Sequence, residues 1–140
     1  MKTYVLDTSV IIKWFSEYNE DDLDKALILR TRILQDKCSV IVPALMFYEL
    51  ANALRYNTRF TDEDVKDAVK SVIDMGFSVK DLEASVIARA VEIAFRYGVT
   101  VYDAYFLALS QIEKKPFITA DYKFIKRIRG FKNIMRLSET

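Results

Sequence analysis

Hydrophobic positions in this chain alternate between short continuous apolar runs and stretches where they recur every three or four residues. That succession predicts strands followed by helices. Residues 2–6 read as a buried strand, and Asp7-Thr8-Ser9 behind it marks a helix start leading into an apolar segment over 10–15. Leu23, Ala26, Leu27, Arg30, Ile33 and Leu34 fall at helical spacing. The stretch 17–24 carries five acids and no base, and lies at the N-terminal end of that helix, where the macrodipole favours negative charge. The β-branched run 39–42 predicts a second strand, with Pro43 as the first-turn residue of a helix reaching about Asn57.

Thr61 followed by Asp62, Glu63 and Asp64 predicts a capped helix that ends near Gly76. Residues 77–79 read as a short strand and 82–97 as an amphipathic helix closed by Gly98. A helix from Thr100 to about Lys114, a strand over 116–119, a short helix from Asp121 to Gly130 and an edge strand over 133–137 complete the chain. Alternation of this kind predicts an α/β fold with a mostly parallel central sheet of four to five strands flanked by helices. In such sheets ligands bind beyond the carboxyl ends of the strands.

Composition narrows the picture. With 140 residues, 51% of them hydrophobic, and no repeat, linker or low-complexity block, residues 1–140 are expected to form a single domain. A chain of this length buries roughly 70% of its unfolded surface, so it needs no disulfide or structural metal. The lone Cys38 has no intramolecular partner. With no secretory signal pattern, this suits a reducing cytoplasm. The longest uncharged run, over 38–48, is too short for a membrane span and contains Pro43, so no membrane partner is expected.

The chain has no histidine, which excludes Ser-His-Asp, Cys-His and HExxH chemistry. A net charge of +1 gives no global bias towards nucleic acid.

Four acids stand in suggestive places. Asp7 follows the first strand and Asp121 the strand over 116–119, both at the sheet end where ligands bind. Glu49 interrupts an apolar helix with Asn52 one turn on, on the same side. Asp103 sits in the first turn of a strongly apolar helix. Each also has a structural reading: Asp7 and Asp121 as helix N-caps, Thr100-x-x-Asp103 as a capping box, Glu49 as a partnered or solvent-reaching helix residue.

If the fold brings the four within about 5 Å of one another, each charged pair costs roughly 3 kcal/mol at an effective dielectric near 20. A domain stable by about 5 to 15 kcal/mol cannot leave six such pairs unrelieved, so protonation or a cation must intervene. Oxygen donors without His or Cys select Mg²⁺ or Mn²⁺ over zinc. Such ions activate water for phosphodiester hydrolysis, a route that needs no histidine.

Four segments carry these acids: Val5-Leu6-Asp7-Thr8-Ser9, Glu49-Leu50-Ala51-Asn52-Ala53-Leu54, Tyr102-Asp103-Ala104-Tyr105-Phe106-Leu107-Ala108-Leu109 and Ile118-Thr119-Ala120-Asp121. In order and spacing they resemble the PIN-domain nucleases, and with the chain's length they look most like the VapC-type toxins of prokaryotic toxin–antitoxin pairs. The resemblance implies a Rossmann-like three-layer sandwich and a metal-dependent endoribonuclease. In it Asp7, Glu49, Asp103 and Asp121 hold one or two Mg²⁺ or Mn²⁺ ions, Thr8 and Thr119 match hydroxyl positions beside the acids, and Asn52 supports Glu49. It further implies an RNA substrate, a homodimer and a small antitoxin that covers the acidic site. No motif covers residues 17–24 or 60–98.

The tail over 122–136 carries Lys123, Lys126, Arg127, Arg129, Lys132 and Arg136 without an acid, interleaved with Tyr122, Phe124 and Phe131. Its bases are placed to neutralise RNA phosphates and an exposed aromatic to stack a base. The alternative is a solvated basic face over a core formed by Phe124, Ile125 and Ile128. Lys13 with Trp14, and Arg55 with Tyr56 and Arg59, are weaker RNA contacts of the same kind. Two competing functions remain: a phosphoacceptor or phosphatase domain, weakened by Ser9 where D-x-D needs an acid, and a non-catalytic RNA-binding or protein-interaction domain whose acids are caps.

Overall fold

Val5 and Leu6 are fully buried, and this first strand, β1 (Lys2–Leu6), lies at the centre of the sheet. The computed structural model describes residues 1–16 and 21–140, so Glu17 and Glu20 of the acidic stretch lie outside the described residues. After β1 come α1 (Thr8–Ile12), a 3₁₀ turn (Lys13–Phe15), α2 (Leu23–Leu34), β2 (Cys38–Pro43), α3 (Leu45–Arg55), α4 (Asp62–Ile73) and β3 (Ser78–Lys80). Then follow α5 (Ala84–Tyr97), α6 (Val101–Glu113), β4 (Phe117–Thr119), α7 (Tyr122–Arg127), β5 (Ile134–Arg136) and a last 3₁₀ turn (Leu137–Glu139).

The strands form one sheet in the order β3-β2-β1-β4-β5, every pair parallel. β1 registers with β2 from Lys2↔Cys38 to Val5↔Ile41, and with β4 through Leu6↔Ile118. Strands covered on both faces read as continuous apolar runs, which is why β1, β2 and β4 were visible as such. The order reverses between β1 and β4, and in open parallel sheets that switch point opens a crevice at the carboxyl edge.

α6 is buried at every position from Ala104 to Ser110 and packs on β1, β2 and β4. Thr61 caps α4 as predicted and, with Asp64, completes a capping box. Gly98 closes α5 at φ 66, a left-handed C-cap that costs glycine nothing.

Pro43 corrects the sequence reading. It does not open α3; it is the last residue of β2, paired with Lys80 of β3, and Ala44 caps the helix while its N–H donates to the Lys80 carbonyl. β1 pairs with β2 only as far as Ile41, so the missing N–H of proline is needed by no neighbour on that side.

Candidate active site

The carboxyl edge at the switch point gathers the acids. Asp7 leaves β1, its N–H donating to the Ile118 carbonyl at 2.9 Å and so continuing the ladder towards β4. Glu49 comes from α3, Asp103 from the first turn of α6, and Asp121 from the end of β4. All four, with Thr8, Ser9 and Asn52, line one open cleft of about 330 Å³.

Hydrogen bonds separate these acids from ordinary caps. Asp7 occupies the N-cap position of α1, yet its side chain makes no cap bond. Its Oδ2 instead accepts from the hydroxyls of Ser9 (2.6 Å) and Thr119 (3.0 Å). Glu49 Oε1 accepts from the Thr8 hydroxyl at 2.7 Å. At α6 the Thr100 hydroxyl caps by accepting the Asp103 N–H at 3.1 Å. Only Asp121 behaves as a cap, its Oδ1 accepting the Phe124 N–H at 3.0 Å. Thr8 and Thr119 are buried, so their hydroxyls have fixed partners.

Burial pushes the Asp7 carboxyl up to about 6, and the charges of Asp103 and Asp121 add to the rise while the Ser9 and Thr119 hydroxyls oppose it. Burial likewise raises Glu49 to about 7, opposed by Thr8 and assisted by Asp7 and Asp103. Asp103 is raised by burial and by Asp121, against Thr100. Each is driven first by desolvation and then by its acidic neighbours, the situation in which a bound cation gains most.

The donors are all hard oxygens in a cleft that penalises their own negative charge, which fits a Mg²⁺- or Mn²⁺-class ion. As they stand the side chains are spread around the cleft: among the described residues, no three acidic or thiol groups are gathered in a ligating arrangement. Closing on an ion therefore entails side-chain movement.

Ser9 is the site residue that sequence reasoning missed. Its hydroxyl donates to Asp7, accepts the Ala120 N–H at 3.0 Å and lies 3.3 Å from the Thr119 hydroxyl, tying the ends of β1 and β4 together. The only sequence signal was its place two residues after Asp7.

Lys123, Lys126, Arg127 and Arg129 are exposed on and just beyond α7, and none of them lines the cleft. Arg127 donates to the Gly98 carbonyl at 3.0 Å. The expectation of an exposed stacking aromatic among them is corrected. Phe124 is buried, Phe131 packs on Tyr97 with centroids 5.3 Å apart, and the Tyr122 hydroxyl donates to Asp22 and accepts the Ser138 N–H, with Arg136 over its ring. Trp14 is core as well, its indole donating to the Ala26 carbonyl at 2.9 Å.

Sheet order, switch-point cleft and carboxylate lining together define an open, doubly wound α/β domain with an acidic site. Residues 4–130 match the family model of the PIN domain, and the chain belongs to that family. No curated protein matches it by sequence.

Among solved structures, a toxin–antitoxin complex from Klebsiella pneumoniae is similar at 17% identity, over 98% of this chain and 99% of that one, with a TM-score of 0.69. DNA-bound VapBC from Salmonella typhimurium is 18% identical over 98% and 99% of the two chains, TM-score 0.66. The sarcin-ricin loop cleaving toxin VapC20 of Mycobacterium tuberculosis is 15% identical over 89% and 96%, TM-score 0.67. At these identities the likeness establishes a shared fold. No helix among the described residues is long and apolar enough to cross a membrane.

Proposed function

We propose that this chain is a metal-dependent endoribonuclease, the toxin of a toxin–antitoxin pair, acting as a single cytoplasmic domain. The observation that carries the reading is the convergence of Asp7, Glu49, Asp103 and Asp121, from four separate elements of a PIN domain, on one cleft at the sheet switch point. One or two Mg²⁺ or Mn²⁺ ions held by these carboxylates would supply activated water for phosphodiester hydrolysis.

The chain's own groups do the rest. Ser9 and Thr119 fix Asp7, Thr8 fixes Glu49, and Asn52 lines the cleft one helical turn from Glu49. Lys123, Lys126, Arg127 and Arg129 offset phosphate charge along the RNA outside the cleft. Relatives solved as toxin–antitoxin complexes support a small antitoxin as partner. The apolar residues Ile87, Val91 and Phe95, exposed one turn apart along α5, support self-association.

The test is cleavage of total RNA in Mg²⁺ or Mn²⁺, with cut sites mapped. Asp7→Asn and Asp103→Asn are expected to abolish it with the fold retained, and cleavage that survives both substitutions overturns the assignment. The Asp121 cap bond favours a second reading, a non-catalytic binding domain. That reading predicts RNA binding without cleavage in any metal.

A further inference from the structure

A second cavity shares no wall residue with the acidic cleft but is lined by the chain neighbours of two of its acids, Glu49 and Asp103. It encloses about 390 Å³ and is walled by Pro43, Tyr48, Lys80, Leu82, Tyr102 and Tyr105. Pro43 and Lys80 end β2 and β3, so this cavity too opens beyond the carboxyl ends of parallel strands. Two of its tyrosines directly precede acids of the cleft in the chain: Tyr48 before Glu49 on α3, Tyr102 before Asp103 on α6. Consecutive Cα atoms are about 3.8 Å apart, and consecutive helical side chains diverge by about a quarter turn. Each helix therefore turns an acid to one cavity and a ring to the other.

Tyr48 is 73% and Tyr102 63% exposed, whereas Tyr105 is 8% exposed and forms the floor. The wall is held in place: the Ala44 N–H donates to the Lys80 carbonyl at 3.0 Å, and the Lys80 ammonium pairs with Glu113 at 3.4 Å.

We infer that this cavity is a nucleobase subsite, in which Tyr48 and Tyr102 stack an unpaired base of the RNA whose phosphodiester lies in the acidic cleft. The inference rests on the ribonuclease reading and requires that the base it takes be unpaired. Unpaired bases stack on aromatic rings, while paired bases offer no free face. Apart from Lys80, whose ammonium is paired with Glu113, the cavity is apolar and ring-walled, which suits a base rather than a phosphate, and the lysines and arginines of the tail do not line it. The rings sit one residue from the carboxylates, so a chain crossing the cleft passes them within a nucleotide or so. The rival occupant is protein, because Ile87 borders the cavity and the apolar line through Val91 and Phe95 leads away from it along α5.

The test measures anisotropy of a labelled single-stranded RNA oligomer on the full chain in chelator, with cleavage and sedimentation recorded on the same variants. Tyr48→Ala and Tyr102→Ala are each expected to weaken binding about tenfold, with Phe variants close to wild type. Oligomers carrying one abasic site near the mapped cut are expected to bind wild type about tenfold more weakly, with that penalty largely gone in the double Ala variant. Both tyrosines are exposed, so melting temperatures should not move. Ala variants that bind like wild type overturn the inference. So does a binding loss that appears only together with a change from dimer to monomer, which assigns the face to a second copy. A wild-type chain that cuts RNA with Ala variants unaffected sinks this subsite alone, whereas one that neither binds nor cuts RNA sinks the ribonuclease reading beneath it.

Discussion

Replacing Asp7 by Asn should make the metal-free protein more stable. Asp7 titrates near 6 in the folded chain against an ordinary value of 3.8, so the native state binds its proton more tightly than the unfolded chain does. The sign follows from linkage: where the native state holds more protons, stability falls as pH rises. Below about 4 the carboxyl is protonated in both states and costs nothing. The penalty then grows through the window between the two values and is complete above about 6. Each pH step across that window is worth about 1.4 kcal/mol, so the penalty, trimmed for the solvent at the open mouth, reaches on the order of 2 to 3 kcal/mol. For a chain of this size that is about 5 to 10 °C in melting temperature.

Asn keeps an oxygen to accept from Ser9 and Thr119 and removes the charge. Its like-charge effect on Glu49 goes too. Thermal or urea melts of both proteins in chelator, from about pH 4 to 8, should show Asp7→Asn more stable at the alkaline end and the gap closing towards pH 4. Added Mg²⁺ or Mn²⁺ should raise the wild type selectively, since an ion bound by the native state stabilises it by mass action. A wild type at least as stable as the variant at pH 8 in chelator, or a gap that does not change with pH, would refute the reasoning.

Ser9→Ala leaves the Ala120 N–H without its hydroxyl and removes one donor to Asp7; a loss of about 1 to 3 kcal/mol is expected in chemical denaturation, with the Asp7 carboxyl titrating still higher by NMR. Thr61→Ala breaks the capping box of α4, whose residues do not line the cleft, and should cost about 1 kcal/mol with RNA cleavage unchanged. Leu50→Ala empties a fully buried position beside Glu49; about 2 to 5 kcal/mol should be lost in urea melts, and a smaller loss would mean that α3 collapses into the gap.

What the residue pattern revealed, and what it hid, divides along sequence distance. β1, β2 and β4 are continuous apolar runs because both faces are covered, and α4 advertises its start in Thr61 and Asp64, three residues apart. The placement of Asp7 and Asp121 at one sheet edge follows from each standing just beyond a strand. Pro43 was misread because pairing with Lys80, 37 positions away, keeps the chain extended where local preference would begin a helix. Ser9 was overlooked for the same reason: its hydroxyl has meaning only once Thr119 and Ala120, more than a hundred residues on, are beside it. Tyr122 and Phe131 looked free to stack on RNA until Asp22, Ser138 and Tyr97 occupied them.

The way the acids are held bears on the proposed cation. Among the described residues no lysine or arginine ion-pairs with Asp7, Glu49, Asp103 or Asp121. Their partners are neutral: hydroxyls on one oxygen of Asp7 and of Glu49, a backbone N–H on one oxygen of Asp121. Such donors orient a carboxylate and favour its charged form without cancelling the charge, as outer partners do around metal ligands; here burial outweighs them. The hydroxyls are themselves polarised, Ser9 accepting from Ala120 N–H and Thr119 from Asp121 N–H while both donate to Asp7. A basic partner would have lowered these pKa values and stabilised the fold. Without one, burial leaves Asp7, Glu49 and Asp103 with raised pKa values, a cost that a divalent ion bound as proposed would reduce.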